Sequence, residues 1–315
     1  MKRYIDAFKR LKSEISNVAV KEGCSVISLY INAFWCYVRY GITPNEYLGW
    51  NCWRYSNRTL KSFYTARSSV KYEARFNDRS YAHYFDNKVD FNKKFTQFVK
   101  RDWVYTKESS EDEIAKFMQG HEKVIAKPIG LSSGRGIHVV NKGTNLGGGV
   151  YKDCLLESFI KQHPQMSELN PSSVNSVRVY TLTKKNGEPM ILSASIRVGG
   201  KDAEVDNYHA GGCGYPIEVE TGIVYMPGTD IKGSKHLFHP STGYKMIGFE
   251  VPNWQELKQF VYTAMSLIPQ TRLLAWDVAV LDDGFEMIEG NCNGDPGFMQ
   301  APSKQGKKRE ILKEL

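Results

Sequence analysis

The sequence has no CxxC pair: its six cysteines (Cys24, Cys36, Cys52, Cys154, Cys213 and Cys292) are scattered. That spacing excludes a zinc ribbon, argues against a disulfide frame, and points to reduced thiols in a cytosolic setting. The chain also lacks an apolar run of the ~20 residues that a membrane span needs. Its most apolar stretch, residues 24–38, is interrupted by Asn32 and reads as a buried helix. No signal-peptide core follows the basic N-terminus; Tyr4, Ile5, Phe8, Leu11 and Ile15 instead trace an amphipathic helix. Neither a Walker A sequence nor a glycine fingerprint opening a helix is present. Long Lys/Arg runs, internal repeats and low-complexity linkers are absent, so nucleic acid is not an expected partner.

What is there suits a globular protein. The 315 residues are 41% hydrophobic and 24% charged, enough for one large domain or two smaller ones. The net charge of +8 favours an acidic partner, such as nucleotide phosphates or an anionic membrane face. Residues 1–85 read as a helical N-terminal region. Thr43-Pro44-Asn45-Glu46 combines an N-cap, a first-turn proline and a capping-box glutamate. Tyr30, Trp35, Tyr37, Tyr47, Trp50 and Trp53 read as helical core, with stacking on sugars or bases as the other option. Beyond Lys88, Phe91, Phe95, Phe98 and Val99 form one helical stripe, and Ser110 with Glu113 caps a helix ending near Gly120. Strands follow at 123–127, 136–140, 154–160, 174–183 and 190–198. A helix at 254–268 precedes two more strands at 273–281 and 285–289. Long helices mixed with hairpins define an α+β class.

The most informative segment is LLAWDVAVLDDGFEMIEGNCNGD, residues 273–295. If Asp282-Asp283-Gly284 forms a three-residue turn, Leu281 pairs with Phe285, Ala279 with Met287, and Asp277 with Glu289. Two facing carboxylates repel, and with Asn291 on the same face they form a hard-oxygen set suited to Mg²⁺. An exposed acidic hairpin fits the same spacing. In VIAKPIGLSSGRGIHVV, residues 124–140, a strand ending in Lys127 is followed by Gly130, Ser132, Ser133, Gly134 and Gly136; such a loop can fold over phosphates, or be a plain hairpin. LLESFI, residues 155–160, is an apolar strand carrying Glu157 and reads on its own as an edge strand. Asn175, Arg178 and Arg197 fall on strands facing a core, where either an anionic ligand or internal ion pairs would satisfy the arginines. Asp206-Asn207-Tyr208-His209-Ala210-Gly211-Gly212 could line an acceptor or oxyanion site. His209 and His239 read as turn residues.

Taken in order, these segments resemble the ATP-grasp superfamily, and within it the sugar-transfer-associated ATP-grasp family. The resemblance runs from about Asp86 to Gln300 through DNKVDF, AKP with SSGRG, LLESFI, NSVRV, VDNYHAGG, VETG, HPSTG and AWD…IEGN. It implies two α+β lobes gripping ATP, with a lid-like lobe at about 105–160 and a C-terminal lobe at about 161–315. It implies that Lys88 and Lys127 hold nucleotide phosphates under the loop from Ser132 to Gly136, and that Glu157 and Ile160 lie in the adenine and ribose hinge. Asp277, Glu289 and Asn291 resemble the Mg²⁺ ligands, and Arg178 and Arg197 the groups that steady the transferred phosphoryl. Ser158 stands where a second acid is common, and the acceptor region around Asp206 is the loosest match. The implied function is an ATP- and Mg²⁺-dependent carboxylate–amine ligase acting through an acyl-phosphate, with an amino acid and a uronic acid or amino sugar of a bacterial surface glycan as its partners. Peripheral contact with a membrane-bound glycan donor accompanies that reading. A non-catalytic nucleotide-binding partner of a glycan assembly complex and a phosphotransferase that stops at the phosphorylated substrate are the alternatives.

Overall fold

The computed structural model describes residues 2–131, 136–144, 146, 151–200, 211–292 and 294–315, and of residues 2–11 only the course of the backbone. Five helices open the chain: α1 (Lys2–Glu22), α2 (Val26–Tyr40), α3 (Pro44–Trp50), α4 (Asn57–Ser62) and α5 (Ala66–Phe76). Helix α3 starts where Thr43 and Glu46 form the expected reciprocal capping box. Tyr47, Trp50 and Phe63 fill the small core beneath these helices, together with Leu29, Ala33 and Cys36 of α2.

Helix α2 is not the buried helix that its composition suggested. Only Leu29, Ala33 and Cys36 are sealed, whereas Tyr30, Trp35 and Tyr37 are exposed. The aromatic group read as one core therefore divides, with Tyr47 and Trp50 inside. The reason is tertiary: no other described element covers the outer side of α2.

Two short helices, α6 (His83–Asp86) and α7 (Lys88–Lys94), lead to a small sheet. The long aromatic stripe is broken there, because the helix stops at Lys94 and a single 3₁₀ turn carries Phe98. The small sheet comprises β1 (Trp103–Tyr105), β2 (Lys123–Pro128), β3 (His138–Asn141) and β4 (Cys154–Ser158), in the order β1-β4-β2-β3. Strand β4 is thus interior, not an edge. Helix α8 (Glu111–Gly120), capped by Ser110 and Glu113, packs on one face over Val124, Ala126, Val140 and Leu156. Alternation along each strand turns Lys127, Leu155 and Glu157 to the opposite face.

The chain then passes α9 (Pro164–Leu169) into a seven-stranded antiparallel sheet. Its strands are β5 (Val177–Thr183), β6 (Pro189–Val198), β7 (Cys213–Ile217), β8 (Gly228–Thr229), β9 (Lys235–His236), β10 (Leu273–Leu281) and β11 (Gly284–Asn291). Helix α10 (Trp254–Ser266) lies on its back with Trp254, Leu257, Val261 and Met265 buried against Val179, Ile196, Trp276 and Met287. Each such large apolar side chain contributes roughly 1.5–3 kcal/mol by leaving water. The front of the sheet is divided. Tyr180, Leu182, Leu192 and Ala275 are covered by Tyr64 and Phe76 and by the last two helices, α11 (Pro296–Gln300) and α12 (Lys308–Leu312). The rest of the front face carries charge. The C-terminal segment also ties in the N-terminal helices: the Trp50 indole donates to Gly297 O at 2.9 Å, and the buried Gln300 amide both accepts from Tyr64 N and donates to Tyr64 O.

Candidate functional site

On the charged part of the front face, Glu289, Asp277 and Arg178 lie side by side on β11, β10 and β5. Asp277 does face Glu289, but by a different register from the one expected. Leu281 pairs with Gly284 around a two-residue Asp282-Asp283 turn, so Val280 pairs with Phe285 and Ala279 with Glu286, not Met287. A β-bulge after Met287 adds Ile288 as an extra residue and brings Glu289 back opposite Asp277. A turn one residue shorter and a strand one residue longer cancel.

Asp277 is buried and doubly clamped. Its Oδ1 lies 2.5 Å from Arg178 Nε, and its Oδ2 accepts from Arg178 Nη2 and Arg197 Nη1, both at 2.8 Å. Burial alone would raise its pKa; the two guanidinium groups outweigh that and hold it below the ordinary carboxylate value. Glu289 shifts the other way, raised by partial desolvation and by the facing Asp277 charge. Because its side chain keeps 47% of its surface exposed, water moderates that rise. The Asn291 amide nitrogen donates to Glu289 Oε1 at 3.3 Å, which leaves the amide oxygen to face another donor or a cation.

Across from this row, the small sheet presents Lys127 and Glu157. The Lys127 ammonium contacts Glu157 Oε2, and Arg101 Nη2 reaches Glu157 Oε1 at 2.8 Å, with the Asn92 amide donating to the same oxygen at 3.3 Å. Arg101 joins the two sheets. Its Nη1 also meets Glu286 at 2.7 Å, and its guanidinium donates to Met287 O and Ile288 O at 3.0 and 3.2 Å. Those carbonyls belong to the bulge that places Glu289. Lys88 donates to Pro128 O and Leu131 O at 3.3 and 2.8 Å, and so holds the end of β2. Desolvation lowers its pKa; nearby Glu289 opposes that shift.

Beside this network lies a cavity of about 370 Å³ lined by Ser158, Phe159, Ile160 and Lys161 on one side and by Leu281, Asp282 and Glu286 on the other. It places Ile160 and the backbone after β4 against the front of the large sheet. Glu157 does not open into it as a free ribose acceptor, since both its oxygens are engaged and it is sealed from solvent. Ser158 is engaged too, its hydroxyl accepting from Asp102 N at 3.0 Å.

Asn175 falls away from the cleft. It precedes β5 instead of lying on it, is fully buried, and spends its amide nitrogen on Met166 O and Asn170 O, each at 2.8 Å. Gly136 has φ 71°, and a Cβ there would come within 2.8 Å of Leu131 and 3.2 Å of Pro128; glycine is required at that end of the loop. Ser132, Ser133, Gly134, Asp206, Asn207 and His209 lie outside the described residues. Gly211 has φ 96° and Gly212 is buried at the entry to β7. His239 is a buried turn residue whose Nδ1 meets Thr242 Oγ1 at 3.1 Å.

Sequence reasoning missed Arg101, Asn92 and Glu286. The one available signal was Glu286, an acid between Phe285 and Met287 in a strand that is otherwise apolar there.

Lysines from the small sheet's side thus lie across from a carboxylate–arginine row on the large sheet. The chain belongs to the sugar-transfer associated ATP-grasp family, whose sequence pattern matches residues 145–314. Lys88 and Lys127 precede the matched residues, so geometry alone brings them to the site. No curated protein matches the chain in sequence. Among solved structures, it is similar to D-alanine–D-alanine ligase from Helicobacter pylori (15% identity, TM-score 0.45, 74% of this chain and 61% of that one). It is also similar to an L-amino acid ligase from Bacillus licheniformis (12%, 0.41, 69% and 43%). A third likeness is to the ADP complex of purK, an N5-carboxyaminoimidazole ribonucleotide synthetase (10%, 0.42, 66% and 45%). The chain thus spans about half the length of these proteins, and family membership rests on the sequence match. Among the described residues, no helix is long and apolar enough to cross a membrane.

Proposed function

We propose that the chain is an ATP- and Mg²⁺-dependent carboxylate–amine ligase that works through an acyl-phosphate on a bacterial surface-polysaccharide precursor or a related small metabolite. The observation that carries this reading is the bulge-set pairing of Asp277 with Glu289, with Arg178 and Arg197 on the same carboxylate.

The donor set fits the metal. Two carboxylates and an amide oxygen are hard ligands, and although two arginine N–H groups occupy Asp277 Oδ2, Oδ1 meets one and keeps a lone pair for a cation. Bound to Asp277, Glu289 and Asn291, Mg²⁺ would offset charge on the ATP phosphates. Lys88 and Lys127 are the residues we assign to those phosphates, and the 370 Å³ cavity beside Ile160 is large enough for the base. The γ-phosphoryl passes from ATP to a carboxylate oxygen of the substrate, leaving ADP. Arg178 and Arg197, half-buried and fixed in place by Asp277, would steady the negative charge of the acyl-phosphate without reorganising. An amine nitrogen then attacks the acyl carbon, phosphate departs with the bonding pair, and the amine proton goes to solvent. Asp206, Asn207 and His209 are the acceptor-side candidates from the sequence, with an amino acid and a uronic acid or amino sugar as the substrate classes. Gly211 and Gly212 belong to the same acceptor-side segment of the sequence.

The test is ADP release with Mg²⁺ and ATP over a panel of amino acids and uronic acids, singly and paired, with Asp277→Asn alongside. Turnover that needs both a carboxylate and an amine, and that Asp277→Asn abolishes, is expected. ADP release with the carboxylate alone would make the protein a phosphotransferase. Full turnover in Asp277→Asn would remove the metal assignment.

A further inference from the structure

Helix α2 has an apolar outer face that no other described residue covers. Ile27 is 70% exposed, Ile31 64% and Phe34 69%, with Trp35 and Val38 exposed beside them. The spacing 27, 31, 34, 38 makes one continuous stripe along the helix, opposite the buried stripe of Leu29, Ala33 and Cys36. Isolated apolar side chains on a surface need no explanation, but a contiguous stripe of large ones does. The helix has 15 residues, so it is about 22 Å long and too short to span a bilayer. It can lie along one.

Val38 also lines a second cavity, of about 330 Å³, at the C-terminal end of α2. Four cationic side chains converge there: Arg39, Arg67, Lys71 and Lys308. Aromatic rings, not carboxylates, lie next to two of them: Arg39 sits 5.5 Å from the Trp35 ring centre, and Lys71 5.0 Å from that of Tyr72. Arg67 is fixed by its stem, which packs so closely on Gly41 (φ 72°) that a Cβ would meet it at 2.9 Å. Among the described residues, none of the four forms an ion pair with a carboxylate. The fold thus joins an apolar stripe, a Trp and Tyr margin and a pocket of unneutralised positive charge. A protein partner would need only the first. The three together match the hydrocarbon boundary, interface and phosphate layer of a membrane surface.

We propose that α2 and the adjoining pocket dock the protein on an anionic phospholipid bilayer, with the stripe from Ile27 to Val38 seated among the acyl chains and a lipid phosphate in the Arg39–Arg67–Lys71–Lys308 pocket. This surface is separate from the cleft and does not depend on the ligase reading.

The full chain, labelled at Cys24 with an environment-sensitive fluorophore, would be floated with vesicles of phosphatidylcholine alone or mixed with phosphatidylglycerol. Cys24 is the exposed cysteine of the six and lies next to the start of α2. Co-flotation and a blue shift with the anionic vesicles only are expected. Phe34→Asp should weaken binding at least ten-fold. The double variant Arg67→Glu, Lys71→Glu should weaken it more than 25-fold, at about five-fold per cationic charge removed. A circular dichroism spectrum and a urea midpoint like the parent's would show that both variants fold. No flotation with either vesicle, or flotation unaffected by Phe34→Asp or by the double variant, would overturn the proposal. So would a concentration-dependent dimer that Phe34→Asp abolishes, because the stripe would then be a contact between copies of this chain.

Discussion

Glu46 among the N-terminal helices and Glu157 in the small sheet are both sealed from water, yet their environments push them in opposite directions. Glu46 accepts from Thr43 N and Thr43 Oγ1 at 2.8 Å and from Ala66 N at 2.6 Å, so one side chain caps α3 and the start of α5. Among the described residues it forms no ion pair, and burial raises its pKa to about 7 in spite of those hydrogen bonds. For Glu157 burial also acts upward, but Arg101 and Lys127 overcome it and bring the carboxyl down to about 2. Glu46 serves the fold as a hydrogen-bonding group. Glu157 serves the site as a charge, holding Lys127 in place and linking it through Arg101 to the bulge under Glu289. Burial sets the cost of ionisation; the neighbours decide whether it is met.

The largest effect should come from removing the cation that makes the difference. Arg101→Met leaves Glu157 with Lys127 alone and Glu286, among the described residues, with no ion pair, and it strips two hydrogen bonds from the bulge. Losing one partner of a buried pair typically costs 3–5 kcal/mol, to be read as a fall in the urea midpoint. If that variant does not fold, Arg101→Lys should fold with a smaller loss, since a charge without the planar fork can meet one carboxylate but not both carbonyls. A midpoint unchanged in Arg101→Met would mean that the two sheets are not coupled through this residue.

The two glutamates should also respond oppositely to pH. Glu157 titrates near 4.5 unfolded and about 2 folded, so the stability it confers is complete above pH 4.5 and is lost as pH falls towards 2. That is about 3 kcal/mol. Glu46 titrates near 4.5 unfolded and about 7 folded, so its contribution is complete below pH 4.5 and is lost as pH rises to 7, again by about 3 kcal/mol. Denaturant titrations of Glu157→Gln and Glu46→Gln beside the parent chain isolate each group. The deficit of Glu157→Gln should shrink as pH is lowered from 5 to 3. Glu46→Gln should gain on the parent between pH 5 and 8. Parallel curves for parent and variant across either window would show that the named carboxylate does not titrate as its surroundings imply.

What could be read from the sequence follows the range of the interactions involved. Both capping boxes, Thr43–Glu46 and Ser110–Glu113, were legible because they close within three residues. The span of β10 was legible from its apolar run. The facing of Asp277 and Glu289 was reached through two errors that cancel, because the turn is set locally but the bulge is held by Arg101, which lies 187 residues from Ile288. A bulge fixed from that distance leaves no mark in the strand's own alternation. The same holds for α2. Its composition gives its helicity and its apolar character, but whether anything covers its outer face depends on the rest of the chain. Glu157 was visible as an acid in an apolar strand, and its occupancy by Lys127 and Arg101 was not.

The smallest effect separates distance from environment. Lys93 Nζ and Glu108 Oε2 lie 2.7 Å apart, as close as Arg101 and Glu286, but both side chains are more than half exposed. Water and salt screen such a pair, and fixing two long side chains costs entropy, so its net worth is about 0.5 kcal/mol or less. A double-mutant cycle with Lys93→Ala and Glu108→Ala should return a coupling in that range, vanishing at 0.5 M salt. The Arg101–Glu286 pair, at the same separation but with both side chains almost fully enclosed, should return a coupling several times larger that salt hardly changes. If the exposed pair matched the buried one, ion-pair distance would be the controlling quantity. If it falls away as argued, the low-dielectric setting that makes Glu157 costly to ionise also makes Arg101 the residue whose loss the cleft tolerates least.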